Sequence, residues 1–279
     1  MMKHLLCSTL VLLATFLSKA QTTNSIIDSA LTEKPLQSSV ISETNTISSF
    51  NGVPHSNFLK KNGQYLLPAA MFGYGVLAST NSALKSFDLK IRSEVLAQPN
   101  RNINRKIEDV LQYVPVYSVF ALNAVGLKGE NKFIDRLALY AVSNTIMSQT
   151  VVKMKKSIGK LRPDGSNRRS FPSGHTATAF SAAEFMRLEY KDASPIYGIA
   201  AYTVAAATGA LRIYHNNHWF SDVIAGAGIG ILSTDLTYFV YPKVKNFITR
   251  QIGFKPKNLH VGPTYQSGTA GLAIVYNPK

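Results

Sequence analysis

Residues 172–183 read PSGHTATAFSAA, and the rest of the chain is best read outward from them. Ser173-Gly174-His175 stands directly before an alanine-rich run, Thr176 to Ala183, and so opens a helix. The first N–H groups of a helix are ready anion donors, and a glycine there lets the backbone come close to its ligand. Upstream lies KKSIGKLRP at 155–163, with Lys155 and Arg162 seven residues apart and Pro163 after them. If helical, that stretch puts both cations on one face about two turns apart, with Pro163 marking the helix end. Downstream, LRIYHNNHWFSD at 211–222 carries Arg212, His218 and Asp222.

This inventory suits the transfer of a phosphoryl group through a histidine, without a metal. Phosphoryl transfer spreads negative charge over equatorial oxygens, so catalysis is largely positioning and preorganised positive charge. Arg162 and Arg212 each offer a planar fork of donors, and Lys155 a compact ammonium. His218 and Asp222 stand at i and i+4, which share a face on a helical turn. An Asp222 carboxylate accepting from one ring nitrogen fixes the tautomer and leaves the other nitrogen to attack phosphorus. The phosphohistidine divides the reaction into two easier steps. His175 is the natural general acid for the departing oxygen. His215 lies near His218 but outside the pattern, and reads as a histidine of the site rim or of solvent. His4, His55 and His260 have no supporting context. Each block alone is a common surface pattern: a solvated helix end, a capped turn, an i,i+4 pair. Their conjunction carries the reading.

The three blocks resemble the type 2 phosphatidic acid phosphatase (PAP2) superfamily, whose pattern is Lys-x6-Arg-Pro, then Pro-Ser-Gly-His, then Ser-Arg-x5-His-x3-Asp. Order and internal spacings are kept here; Leu211 departs, standing where the family usually has serine. The departure removes a phosphate or backbone contact and is expected to tune activity rather than abolish it. The resemblance implies His218 as nucleophile, Asp222 as its partner and His175 as acid, with Lys155, Arg162, Ser173, Gly174 and Arg212 around the phosphate. It implies neither metal nor cofactor. The fold it implies is all-α, a helical bundle of about six core helices of the PAP2 and haloperoxidase type. Vanadium-dependent haloperoxidases resemble the family at the same cradle, but they are typically much longer, and nothing in this sequence demands vanadate.

Residues 1–20 read as a secretory signal, with basic Lys3, an apolar run from Leu5 to Leu17 and Ser18-Lys19-Ala20 before Gln21. The single cysteine, Cys7, falls inside it, so disulfides cannot staple the exported chain. Residues 21–60, rich in Ser, Thr and Asn, form a flexible arm. The phosphatase domain is assigned to 61–250, where charge-free runs cover 62–84, 110–127, 137–152 and 193–211. Ser194-Pro195 is a good helix opening, and Ala225-Gly226-Ala227-Gly228 permits close helix packing. In the tail, 251–279, the glycines and the run Leu272 to Tyr276 indicate one or two short β-strands between Leu259 and Tyr276, a hairpin if two. These are far too few for a transmembrane barrel.

A net charge of +15 favours anionic partners: phosphorylated substrates or a membrane surface. Nucleic acid is set aside, because no recognised motif is present and export removes most such partners. The apolar runs straddle the length of a membrane span, yet mean hydropathy is only +0.02 and Asp235 sits within the last helical segment. Counting spans from an exported N-terminus puts the Lys155–His175 loop on the cytosolic face, opposite to where integral relatives of the family work. A folded helical domain in the periplasm or cell envelope, resting on a membrane, avoids that conflict and is the arrangement expected, with an integral protein of spanning helices as the alternative. The expected substrate is a phosphomonoester or pyrophosphate, lipid-linked: phosphatidic acid, phosphatidylglycerol phosphate, polyprenyl diphosphate or lipid A phosphate. The alternatives are a secreted non-specific acid phosphatase for small soluble esters and a phosphate-binding protein without turnover. The last needs only the cations and leaves His175, His218 and Asp222 unexplained. A pocket opening onto an apolar patch points to lipid, an open polar one to small esters.

Overall fold

The structure, a computed structural model, describes residues 57–97, 102–252, 259–266 and 269–276. The expected signal at 1–20, and the expected arm up to residue 56, lie outside the described residues. The chain divides into two units, Met1–Asn57 and Phe58–Lys279, and apart from Asn57 the described residues belong to the second.

Eight helices are described: α1 (Asn57–Thr80), α2 (Ser82–Leu96), α3 (Ile107–Leu111), α4 (Val114–Ala124), α5 (Phe133–Ile158), α6 (Gly174–Tyr190), α7 (Pro195–Tyr214) and α8 (Phe220–Ile252). The fold is the all-α bundle expected, with more helices than the apolar runs indicated. Asn81 divides the 62–84 run: its side chain accepts from the Ala83 N–H at 2.9 Å and the Leu84 N–H at 3.2 Å, capping α2. The 110–127 run also breaks, between Leu111 and Val114, here without a side-chain cap but with Pro115 in the first turn of α4. Ser194 caps α7 as its position before Pro195 suggested.

Helix α6 is the centre of the bundle and packs against α4, α5, α7 and α8. Its Ala179, Ala182, Ala183 and Phe185 are buried with Val119 of α4, Leu139 of α5 and Ala205 of α7. Helix α8 approaches through glycine. A Cβ at Gly226 would stand 2.5 Å from the Ser173 carbonyl oxygen, and one at Gly228 2.5 Å from that of Pro68 in α1. Only hydrogen fits at either place, so the small-residue run serves the close packing its composition implies.

Far from the Ser173 end of α6, Arg136 and Glu189 form a buried ion pair at 2.8 Å. Tyr238 Oη and Asn131 Nδ2 donate to the other carboxylate oxygen at 2.6 and 2.7 Å, so the interior charge is paired and hydrogen-bonded. At the C-terminus, β1 (Leu259–Gln266) and β2 (Thr269–Tyr276) form an antiparallel hairpin with Leu259 opposite Tyr276 and Gln266 opposite Thr269. This is the hairpin the tail composition indicated.

Helix α7 and the Phe220–Gln251 part of α8 are long and apolar enough to cross a membrane. Four helix termini meet at one end of the bundle: the C-termini of α5 and α7 and the N-termini of α6 and α8. The Ser173 N–H donates to the Asp222 carbonyl there at 3.0 Å, and Lys155 Nζ to the Arg169 carbonyl at 2.8 Å.

Candidate functional site

The first block departs from its expected geometry. Gly159, at φ +60, takes the left-handed conformation that ends α5 at Ile158, so Lys155 and Arg162 do not share a helix face. Arg162 sits instead on a turn closed by its own N–H to the Asn167 carbonyl and by the Gly165 N–H to the Arg162 carbonyl, both 3.0 Å. The turn, rather than helical periodicity, returns Arg162 to the electrostatic neighbourhood of Lys155.

The second block behaves as read. Ser173 is the N-cap of α6, its Oγ within 2.8 Å of Thr176 Oγ1. Its own N–H is taken by the Asp222 carbonyl, so the first-turn N–H groups of Gly174 and His175 are the ones α6 presents to an anion.

In the third block the chain leaves α7 at Tyr214 and turns back through Asn216, whose φ of +59 is a conformation asparagine tolerates. The Asn217 and His218 N–H groups then donate to the Arg212 carbonyl at 3.0 and 3.3 Å, which sets His218 beside Arg212. His218 precedes α8 and Asp222 lies in its first turn, and the pair still meets, Nδ1 standing 3.6 Å from Oδ2. That is longer than a hydrogen bond, and Nδ1 has no other partner. Asp222 is held from three sides. Oδ1 accepts from Lys160 Nζ at 2.9 Å, while Oδ2 accepts from Ser170 Oγ at 2.5 Å and from the Trp219 N–H at 3.0 Å.

Lys160, Ser170 and the groups behind them were not singled out by sequence. Lys160 Nζ also donates to Ser221 Oγ at 2.8 Å and reaches Asp88 of α2 at 3.3 Å. Asp88, buried, accepts from the Ser221 N–H at 2.9 Å. Lys160 had a signal of a kind, a further cation inside KKSIGKLRP; Asp88 had none. Helix α3 supplies two more acids. Buried Glu108 accepts from Arg212 Nη1 and meets His215 Nδ1, both at 2.9 Å, and Asp109 Oδ1 lies 2.7 Å from His175 Nε2. Their signal was the one adjacent acidic pair in the sequence, Glu108-Asp109. His215 is not a solvent histidine: it is 4% exposed and its Nε2 meets the Ile103 carbonyl at 3.1 Å, because the Asn216 turn folds it against α3.

The electrostatics follow from this packing. Burial pushes His218 down to about 4, with Asp222 pulling the other way, so the ring is neutral at ordinary pH. Burial and the Arg212 charge lower His175 as well, opposed by Asp109 and Glu108. Arg162 Nε and Arg212 Nε are buried donors with no protein acceptor. Orphaned guanidinium donors beside a neutral histidine, near two helix N-termini, form a place that an oxyanion satisfies. Among the described residues, no group of three or more His, Cys, Asp and Glu side chains is placed to hold a metal ion. Two recesses flank the site. One of about 260 Å³ is lined by Arg105, Asp164, Tyr214, His215 and Asn216. The other, about 280 Å³, is walled by Leu89, Leu161 and Trp219 with Lys85, Asp88 and Lys160.

Residues 142–246 match the family model of the PAP2 superfamily. The chain is 37% identical over 187 residues to a lipid A 1-phosphatase of Porphyromonas gingivalis, covering 63% of this chain and 42% of that protein. It is 28% identical over 134 residues to a lipid A 1-phosphatase of Rhizobium etli, covering 42% of this chain and 55% of that protein. The chain thus spans about half the length of these curated relatives. Among solved structures it is similar to a transmembrane PAP2-type phosphatidylglycerolphosphate phosphatase from Bacillus subtilis, with 22% identity, TM-score 0.48, and coverage of 65% of this chain and 98% of that one. It is also similar to Aquifex aeolicus LpxE, with 19% identity, TM-score 0.43, and coverage of 54% and 94%.

Proposed function

We propose that the chain, whose residues 142–246 match the PAP2 superfamily model, is a phosphatase hydrolysing a lipid-linked phosphomonoester or pyrophosphate through a phosphohistidine at His218. The observation that carries this reading is the pair of buried, acceptorless guanidinium nitrogens, Arg162 Nε and Arg212 Nε, on arginines that neighbour each other, with Arg212 beside the neutral ring of His218. With Nδ1 turned to Asp222, Nε2 is the nitrogen that attacks phosphorus. The N–P bond forms as the bond from phosphorus to the leaving oxygen breaks, and His175 gives that oxygen its proton. Water then attacks phosphorus, His175 takes a proton from it, and phosphate leaves Nε2. Lys155, Arg162, Arg212 and the Gly174 and His175 N–H groups carry the charge on the equatorial oxygens.

The lipid-linked substrate rests on different observations. The recess walled by Leu89, Leu161 and Trp219 opens an apolar wall beside Lys160 and Asp88. Leu67, Ile199, Phe239 and Phe247 are each more than half exposed on helix faces, an apolar surface that suits acyl chains better than water. The site stands at one end of the bundle, where a headgroup sits when α7 and α8 lie in lipid. This favours helices embedded in an envelope membrane over a domain merely resting on one. The two relatives are named for lipid A 1-phosphate hydrolysis, which makes lipid A the first substrate to try. The recess lined by Arg105 and Asp164 favours the second reading, a phosphatase of small soluble esters.

The test is to quench the full-length protein during turnover in base, where phosphohistidine survives, and to locate the phosphoryl group by mass spectrometry. It is expected on His218, and His218→Ala is expected to lose turnover while still binding a phosphate analogue. Normal turnover by His218→Ala would sink the assignment.

A further inference from the structure

We propose that Asp109 is the positioning carboxylate of the general acid, holding His175 protonated with its Nδ1 turned to the leaving oxygen. The inference rests on the reading of His175 as that acid and extends it, so that the site works with two carboxylate–histidine pairs.

The contact is direct: Asp109 Oδ1 lies 2.7 Å from His175 Nε2. Its placement is not accidental to a surface side chain, because the neighbouring residue anchors the helix. Glu108 is fully buried and engaged by Arg212 and His215, and the Gln112 side chain donates to the Asp109 carbonyl at 3.1 Å. With Glu108 taken up in this way, Asp109 is the carboxylate that touches the His175 ring. The charged groups acting on His175 are Asp109 and Glu108 from α3 and Arg212 from α7, while Lys155 from α5 lies by the preceding residue, its Cε 3.9 Å from where a Cβ at Gly174 would stand. Burial and the Arg212 charge drive the proton off the ring, and Asp109 opposes them. The two pairs differ in access. The Asp222 side chain is fully buried, whereas that of Asp109 is 57% exposed and that of His175 29%. Asp222 fixes a nucleophile that must stay put; Asp109 serves a ring at the mouth, where the leaving group departs.

The protons balance. In the first step His175 Nδ1–H passes to the leaving oxygen as the N–P bond to His218 forms, and the neutral ring keeps its Nε2–H on Asp109. In the second step Nδ1 takes a proton from the attacking water as the N–P bond breaks, which restores the imidazolium.

The experiment compares wild type, Asp109→Asn and Asp109→Glu in the full-length protein on two esters. One is an alkyl phosphate, whose leaving oxygen needs a proton; the other is p-nitrophenyl phosphate, whose phenolate does not. Asp109→Asn is expected to lower kcat/KM on the alkyl ester about tenfold to a hundredfold, at the lower end of general-acid effects, and by less than about threefold on the nitrophenyl ester. The falling limb of its alkyl-ester pH profile moves to lower pH, and Asp109→Glu restores most of the rate. Equal losses on the two esters, or none on either, overturn the proposal. An NMR titration of His175 reads the pair without turnover and is expected to move to lower pH in Asp109→Asn. Should wild type hydrolyse neither ester, the titration alone decides the pair: a downward move upholds it, an unmoved titration overturns it.

Discussion

In the proposed mechanism, His218 and His175 serve one phosphoryl group with opposite needs, the first neutral to attack and the second protonated to donate. Burial holds His218 at about 4, so it is free to attack above that pH. His175 is lowered by burial and Arg212, so it loses its proton below the ordinary histidine value of about 6.5. The product of the two states is largest in the acid range. A pH profile of kcat/KM is predicted to rise through about pH 4 and to be falling before neutrality; activity still climbing through pH 7 would argue against His175 as the acid. At this scale the sequence offered the candidate reacting groups but not their supports. Lys155, Arg162, Ser173, Gly174, His175, Arg212, His218 and Asp222 were all named from three blocks, and the structure brings them to one end of the bundle. Asp88, Glu108 and Asp109 were not. They meet their partners across 133, 104 and 66 residues, and no local spacing encodes a contact that only tertiary closure makes.

At the scale of elements, the site depends on how closely α8 lies against α6. The Ser173 carbonyl faces Gly226, and the Ser173 N–H holds the Asp222 carbonyl, so the second and third blocks share a seam with no room for a methyl group. Gly226→Ala is predicted to destabilise the fold by about 1–3 kcal/mol through overpacking, read as a lower Tm in detergent, with a matching loss of activity. An unchanged Tm would mean the seam yields more easily than its backbone contacts allow. The seam was legible because glycine and alanine at 225–228 announce close packing by composition alone. Helix ends were less so. Gly159 and Asn81 are each a plain stop or start signal, yet the seven-residue spacing of Lys155 and Arg162 and the charge-free run at 62–84 outweighed them. The backbone follows the local signal in both places, since a left-handed glycine ends a helix and an asparagine side chain caps the next.

At the scale of the whole molecule, the described helices set the charged candidate site at one end of a bundle whose outer faces carry exposed leucine, isoleucine and phenylalanine. Mean hydropathy near zero concealed this, because it averages a polar N-terminal region with apolar helices. Asp235 belongs to the same lesson: it counted against a membrane helix in the sequence, yet it is 6% exposed and turned into the protein rather than toward its surroundings. Charge at one end and apolar faces along the sides suit the proposed enzyme, which acts on a headgroup whose tails remain in lipid. The measurement that bears on this most directly is phosphate release by the full-length protein in excess chelator, comparing a long-chain lipid phosphate with a small soluble ester and including His218→Ala. A strong preference for the lipid, lost in His218→Ala, is the predicted result. Equal or better turnover of the soluble ester, or a loss on chelation that a divalent ion restores, would contradict it.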